Sequence, residues 1–142
     1  MIGDTKKLPK ETLEALERAE EKTKDNTGLI LNFALNYGGR AEITQAVKQL
    51  AQEVRDSNLS PEEITEDRIA DCLYTQSLPR DLRNPDLIIR TSGELRLSNF
   101  LPWQAAYSEL YFTDVMWPDF GEDALRSAIV DYSHRHRRFG GV

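Results

Sequence analysis

Residues 86–115 read "DLIIRTSGELRLSNFLPWQAAYSELYFTDV", two short apolar runs separated by a polar stretch. Each run is too short for a typical helix, so "PDLIIRT" (85–91) and "ELYFTDV" (109–115) are predicted to be strands. Between them Leu87, Ile88 and Ile89 give way abruptly to Arg90, Thr91, Ser92, Gly93, Glu94, Arg96, Ser98 and Asn99. That is more recognition chemistry than a turn requires. Its place, just past the carboxyl end of a strand, is the rim where open α/β sheets bind ligands.

Two readings of this polar stretch stand evenly on the residues alone. In the first, Arg90 and Arg96 present planar forks to a phosphate or carboxylate, while Thr91, Ser92, Ser98 and the backbone around Gly93 donate further hydrogen bonds. A diphosphate would use most of these donors. In the second, Arg90 pairs with Glu94 or Asp86 in a structural ion pair and the remainder is turn chemistry. No glycine-rich phosphate loop accompanies the arginines.

Glu109 is conspicuous as a carboxylate in the mostly apolar and aromatic "WQAAYSELYF". Mg²⁺ commonly takes one or two protein carboxylates, with substrate phosphate and water completing its octahedron. Beside a diphosphate, Glu109 would suit that role; a helix-surface glutamate is the commoner explanation of such a residue. Asp119, close to Pro118 and Gly121, reads as turn or cap chemistry.

Further towards the N-terminus, "LILNFALNYGG" (29–39) is a near-continuous apolar run, consistent with a central parallel strand covered on both faces. "AEITQAVKQLAQEVRDSN" (41–58) places Ile43, Ala46, Val47, Leu50, Ala51 and Val54 on one helical stripe. "LPKETLEALERAEEKTKDNTG" (8–28) reads as a helix opened near Pro9 and stopped at Asn26–Gly28. Ser60, Pro61 and Glu63 have capping-box spacing and predict one or two short helices over 60–75. "GEDALRSAIVDYSHRHRR" (121–138) brings Leu125, Ala128, Ile129 and Tyr132 onto one face. Alternating strands and helices predict an α/β fold, a mostly parallel sheet flanked by helices, in a single domain over 1–142.

The chain has 142 residues, 39% hydrophobic and 30% charged, ordinary values for a globular domain. A formal charge of −6 argues against a nucleic-acid partner, although arginines gather locally at Arg80, Arg83, Arg90 and Arg96 and in "HRHRRFGG". No apolar run approaches the roughly 18 residues of a spanning helix and no signal-peptide core is visible, so a cytoplasmic location is expected. Cys72 reads as a core residue rather than a nucleophile. "NYGGR" (36–40) matches no nucleotide-binding spacing and reads as a tight strand-to-helix turn with Asn36 and Arg40 as wall residues. His134 and His136 face different ways on a helix and form no metal pair.

The ordered strings "LNFALNYGGR", "DLIIRTSGELRLSNFLPWQAAYSELYFTDVMWPDF" and "RRFGG" together resemble the cis-prenyltransferase family, the undecaprenyl diphosphate synthases and other isoprenyl transferases. The resemblance implies condensation of isopentenyl diphosphate with an allylic diphosphate such as farnesyl diphosphate, building a polyprenyl diphosphate with new cis double bonds. It implies that Arg90, Arg96 and Ser98, with Leu97 between them, hold the isopentenyl diphosphate, and that Glu109 ligates Mg²⁺. Arg138 and Gly140 match an R-x-G motif that reaches across a homodimer to the partner's isopentenyl site. Membrane contact would be peripheral, through the lipid product.

The family's N-terminal "DGNGRWA" loop, whose aspartate binds magnesium and which holds the allylic diphosphate, has no match here. Nor has the asparagine associated with proton removal. The expectation is therefore the C-terminal portion of a cis-prenyltransferase, with no catalytic residue in this chain, inactive alone and exposing apolar sheet edges. The competing expectation is a non-catalytic diphosphate-binding or dimer-partner subunit.

Overall fold

A computed structural model describes residues 1–136. The chain forms two compact units, Met1–Ser77 and Leu78–Val142. Among the described residues no helix is long and apolar enough to cross a membrane.

The first unit is built on helices α1 (Lys10–Thr23), α2 (Gly39–Arg55) and the short α3 (Glu66–Ala70). Pro9 caps α1, its carbonyl accepting from Thr12 N and Leu13 N at 3.0 and 3.2 Å. Proline is at home there because its missing N–H would have had no helical partner. Ser60 N donates to Glu63 Oε2 at 2.7 Å in the turn Pro61–Glu63, and the Thr65 hydroxyl accepts from Arg68 N to open α3. These are the short helical pieces that the capping signal predicts.

α2 buries Gly39, Glu42, Ala46 and Leu50, a stripe at helical spacing. The stripe is rotated from the one expected: Val47 is 55% exposed, while the carboxylate Glu42 is buried. Two bonds compensate its burial, one from the Tyr37 hydroxyl to Oε2 at 2.5 Å and one from Tyr74 N to Oε1 at 2.6 Å. Tyr37 and Tyr74 also meet edge to face. Arg68 Nη2 donates to Glu53 Oε2 at 2.5 Å, joining α3 to α2. Cys72 and Leu73 complete this core, and burial pushes the Cys72 thiol pKa up, which fits a packing residue rather than a nucleophile.

Residues 29–36 depart from the expected central strand. They form a single parallel bridge, Ile2 opposite Ala34, in which Ile2 N donates to Phe33 O at 2.9 Å and Leu35 N to Ile2 O at 3.0 Å. Leu29 is 91% exposed, and Ile30, Leu31 and Phe33 also face solvent. The run is strand-like in composition, but a doubly covered strand needs partners on its edges and layers on both faces. Within this unit, the described residues supply only Ile2 as a strand partner. Gly3 makes the bridge possible: at φ +120° a Cβ would lie 1.9 Å from the Leu35 carbonyl oxygen.

The second unit holds strands β1 (Leu87–Arg90) and β2 (Glu109–Phe112), paired parallel with Leu87 opposite Glu109 and Arg90 opposite Phe112. Both expected strands are present. A parallel pair requires a crossover, and here residues 91–108 provide it. Helix α4 (Glu122–Ser133) packs on β2, with Ala128 fully buried and Leu125 and Ile129 about half exposed. The fold is α/β with a small parallel sheet and helices, as expected.

Candidate functional site

The crossover leaves β1 at Arg90 and turns at once. Ser92 and Gly93 both take left-handed backbone conformations, φ 69° and 70°. Their amides are committed: Ser92 N donates to Val115 O at 2.9 Å and Gly93 N to Thr113 O at 3.0 Å. The expectation that backbone around Gly93 would serve an anion is therefore corrected at these two groups. They anchor the turn to the segment after β2 instead. Ser98, Asn99 and Leu101 also have positive φ, so left-handed backbone concentrates in the crossover. Such conformations cost about 1–3 kcal/mol each and gather at ligand sites.

The turn borders an open cavity of about 400 Å³. Its lining combines the polar residues Arg90, Thr91, Ser92, Glu94 and Arg96 with the apolar residues Ile88, Ile89, Leu97 and Phe100. Arg90 is half-buried, and among the described residues its guanidinium has no hydrogen-bond or ion-pair partner. It is joined to neither Glu94 nor Asp86, the two carboxylates that the structural reading offered it. The ion pair falls on Arg96, whose Nη1 meets Glu94 Oε2. Sequence alone does not choose between these pairings, because both separations are within reach of a turn.

Of the expected ligand-binding residues, Arg90, Arg96 and Leu97 line the cavity; Ser98 follows them but is not part of the lining. Glu109 stands opposite Leu87, at the other end of the strand pair from Arg90. Three residues of strand separate those ends by about 10 Å. Arg135 Nη1 donates to Glu109 Oε2 at 2.9 Å and to Leu110 O at 2.9 Å, and its Nε donates to Asp131 Oδ2 at 2.8 Å. Hydrogen bonds from Arg135 to Glu109 first, then to Asp131, raise its already high pKa. Sequence reading missed this partner of Glu109, which lies 26 residues away. Among the described residues no group of three or more His, Cys, Asp or Glu could hold a metal. Arg138 and Gly140 lie outside the described residues.

Comparisons with known proteins bear on the family and the fold. A family model described as putative undecaprenyl diphosphate synthase matches residues 1–140. The isoprenyl transferase of Streptococcus pneumoniae (strain ATCC BAA-255 / R6) is 71% identical over all 142 residues, which correspond to 56% of that protein. The isoprenyl transferase of Streptococcus agalactiae serotype V is 66% identical, with 57% of its length covered. Among solved structures, lavandulyl diphosphate synthase from Lavandula x intermedia, in complex with dimethylallyl diphosphate, superposes with a TM-score of 0.94 at 39% identity. That match covers 99% of this chain and 58% of the plant enzyme. A probable undecaprenyl diphosphate synthase from Campylobacter jejuni gives a TM-score of 0.78 at 34% identity, covering 99% and 61%.

The chain belongs to the prenyltransferase family of undecaprenyl diphosphate synthases and isoprenyl transferases. It spans little more than half the length of the curated relatives it matches.

Proposed function

We propose that the cavity beside Arg90 binds isopentenyl diphosphate, and that the chain contributes this substrate's site to cis-prenyl transfer onto an allylic diphosphate such as farnesyl diphosphate. The observation that carries the reading is Arg90 itself. Arg90 is half-buried in the cavity lining, and among the described residues its guanidinium has no partner, which leaves its hydrogen-bond donors available to an incoming anion. The cavity lining also combines two chemistries: arginines and hydroxyls suit a diphosphate, and Ile88, Ile89, Leu97 and Phe100 suit a short branched hydrocarbon. Arg90 would fix the head group while the apolar residues orient the double bond for attack.

Mg²⁺, when bound, would stabilise the negative charge of the departing allylic diphosphate. In this chain Glu109 fits as a single ligand, provided that it gives up the hydrogen bond from Arg135. Diphosphate oxygens, water and groups beyond this chain would complete the coordination. Ser98, next to the cavity, is proposed as a further phosphate donor. Arg138 and Gly140 are proposed to reach the equivalent site of a second copy in a homodimer. Because no residue here corresponds to the family's catalytic aspartate and asparagine, the proposal is for an isolated chain that binds without turnover. The engagement of Glu109 by Arg135 favours a second reading, a diphosphate-binding subunit with no chemistry in any assembly.

Calorimetry with isopentenyl diphosphate tests the site. Saturable binding is expected, weakened roughly 10- to 150-fold by Arg90→Ala, the equivalent of about 1.5–3 kcal/mol for a charged hydrogen-bonding partner. Arg96→Ala should weaken it less. Equal binding by wild type and Arg90→Ala would overturn the proposal.

A further inference from the structure

We propose that Glu94 is a built-in competitor for the cavity's anion: its carboxylate holds Arg96, and an incoming diphosphate must displace it before that guanidinium can bind. This rests on reading the cavity as a diphosphate site.

The two arginines differ in one respect. Arg90 has no partner among the described residues, whereas Arg96 is ion-paired with Glu94, two residues away on the same crossover. Both members of the pair line the cavity. A diphosphate therefore meets one open guanidinium, one that is already neutralised and one carboxylate that repels it.

The pair is placed to yield. The Glu94 and Arg96 side chains are 36% and 67% exposed, so water screens their attraction and competes for both ends. The backbone before Glu94 is fixed, because the Ser92 and Gly93 amides are bonded to Val115 and Thr113. Displacement is thus a side-chain rotation about an anchored turn, with no refolding of the crossover. Glu94 would set a threshold: an anion able to bridge both arginines replaces the carboxylate, and a weaker one leaves the pair closed.

Inorganic diphosphate, titrated calorimetrically in the presence of a chelator, isolates this effect from any metal. Glu94→Gln keeps the side-chain shape and removes the charge, and should bind roughly three- to thirty-fold more tightly than wild type. Glu94→Asp, which keeps the charge, should remain near wild type and controls for folding. In an Arg96→Ala background most of the gain from Glu94→Gln should vanish, since no guanidinium is left to release. Unchanged or weaker binding by Glu94→Gln would overturn the competitor role. So would an undiminished gain in the Arg96→Ala background, which would make the effect a general field. Absence of diphosphate binding in both wild type and Glu94→Gln would instead overturn the reading of the cavity itself.

Discussion

Glu42→Gln removes one acceptor from a buried site that uses two. The carboxylate is 1% exposed, and its two oxygens serve different donors, Oε2 the Tyr37 hydroxyl and Oε1 the Tyr74 amide. Glutamine has nearly the same shape but a single acceptor oxygen, and its NH₂ faces a donor it cannot serve. One donor is then orphaned, at a cost of about 1–3 kcal/mol. Glu42→Ala removes both acceptors and leaves a void, so roughly 3–5 kcal/mol is expected. With a urea m-value of about 1–3 kcal/mol/M, the glutamine variant should unfold at a midpoint lower by about 0.3–3 M. Far-UV circular dichroism reads the midpoint, and amide hydrogen exchange at Tyr74 reads the bond directly. A Glu42→Gln chain within about 0.5 kcal/mol of wild type, with the Tyr74 amide equally protected, would refute the reasoning.

Gly3→Ala should break the Ile2–Ala34 bridge, because both the φ of +120° and the 1.9 Å approach to Leu35 O exclude a Cβ. Faster hydrogen exchange at the Leu35 amide is the expected readout, with a stability loss of about 1–3 kcal/mol. Hydrogen bonds from Gln49 first and Arg68 second hold the Glu53 pKa below its ordinary value of 4.5. A lowered folded-state pKa stabilises above the unfolded value and is lost as pH falls through the folded one. Glu53→Gln should accordingly flatten the loss of stability below pH 4.5, measured as urea midpoints across that range.

Local signals carried much of the architecture into the sequence. Strands β1 and β2, Pro9 at the start of α1 and the Ser60/Glu63 turn all depend on neighbours in the chain, and each is where its residues predict. What sequence could not show depends on partners far apart. The buried face of α2 turns towards Glu42 because Tyr74, 32 residues on, supplies a donor for its carboxylate. Periodicity alone put Val47 on that face. The apolar run at 29–36 advertises a covered strand, yet coverage belongs to the surroundings rather than to the run. At the site, the arginines at and beyond the end of β1 line the cavity. The choice of Arg96 over Arg90 as the partner of Glu94 is a matter of turn geometry, invisible in residue spacing. The hold of Arg135 on Glu109 likewise follows from α4 packing against β2.

The claim that Arg90 awaits an anion is tested most directly by the arginine Nε–H spectrum of ¹⁵N-labelled chain titrated with inorganic diphosphate, with Arg90→Lys used to assign the Arg90 signal. The account predicts a saturable shift of the Arg90 resonance and its protection from solvent exchange as the guanidinium gains its partner. An Arg90 signal that stays fixed while diphosphate saturates the protein would contradict it.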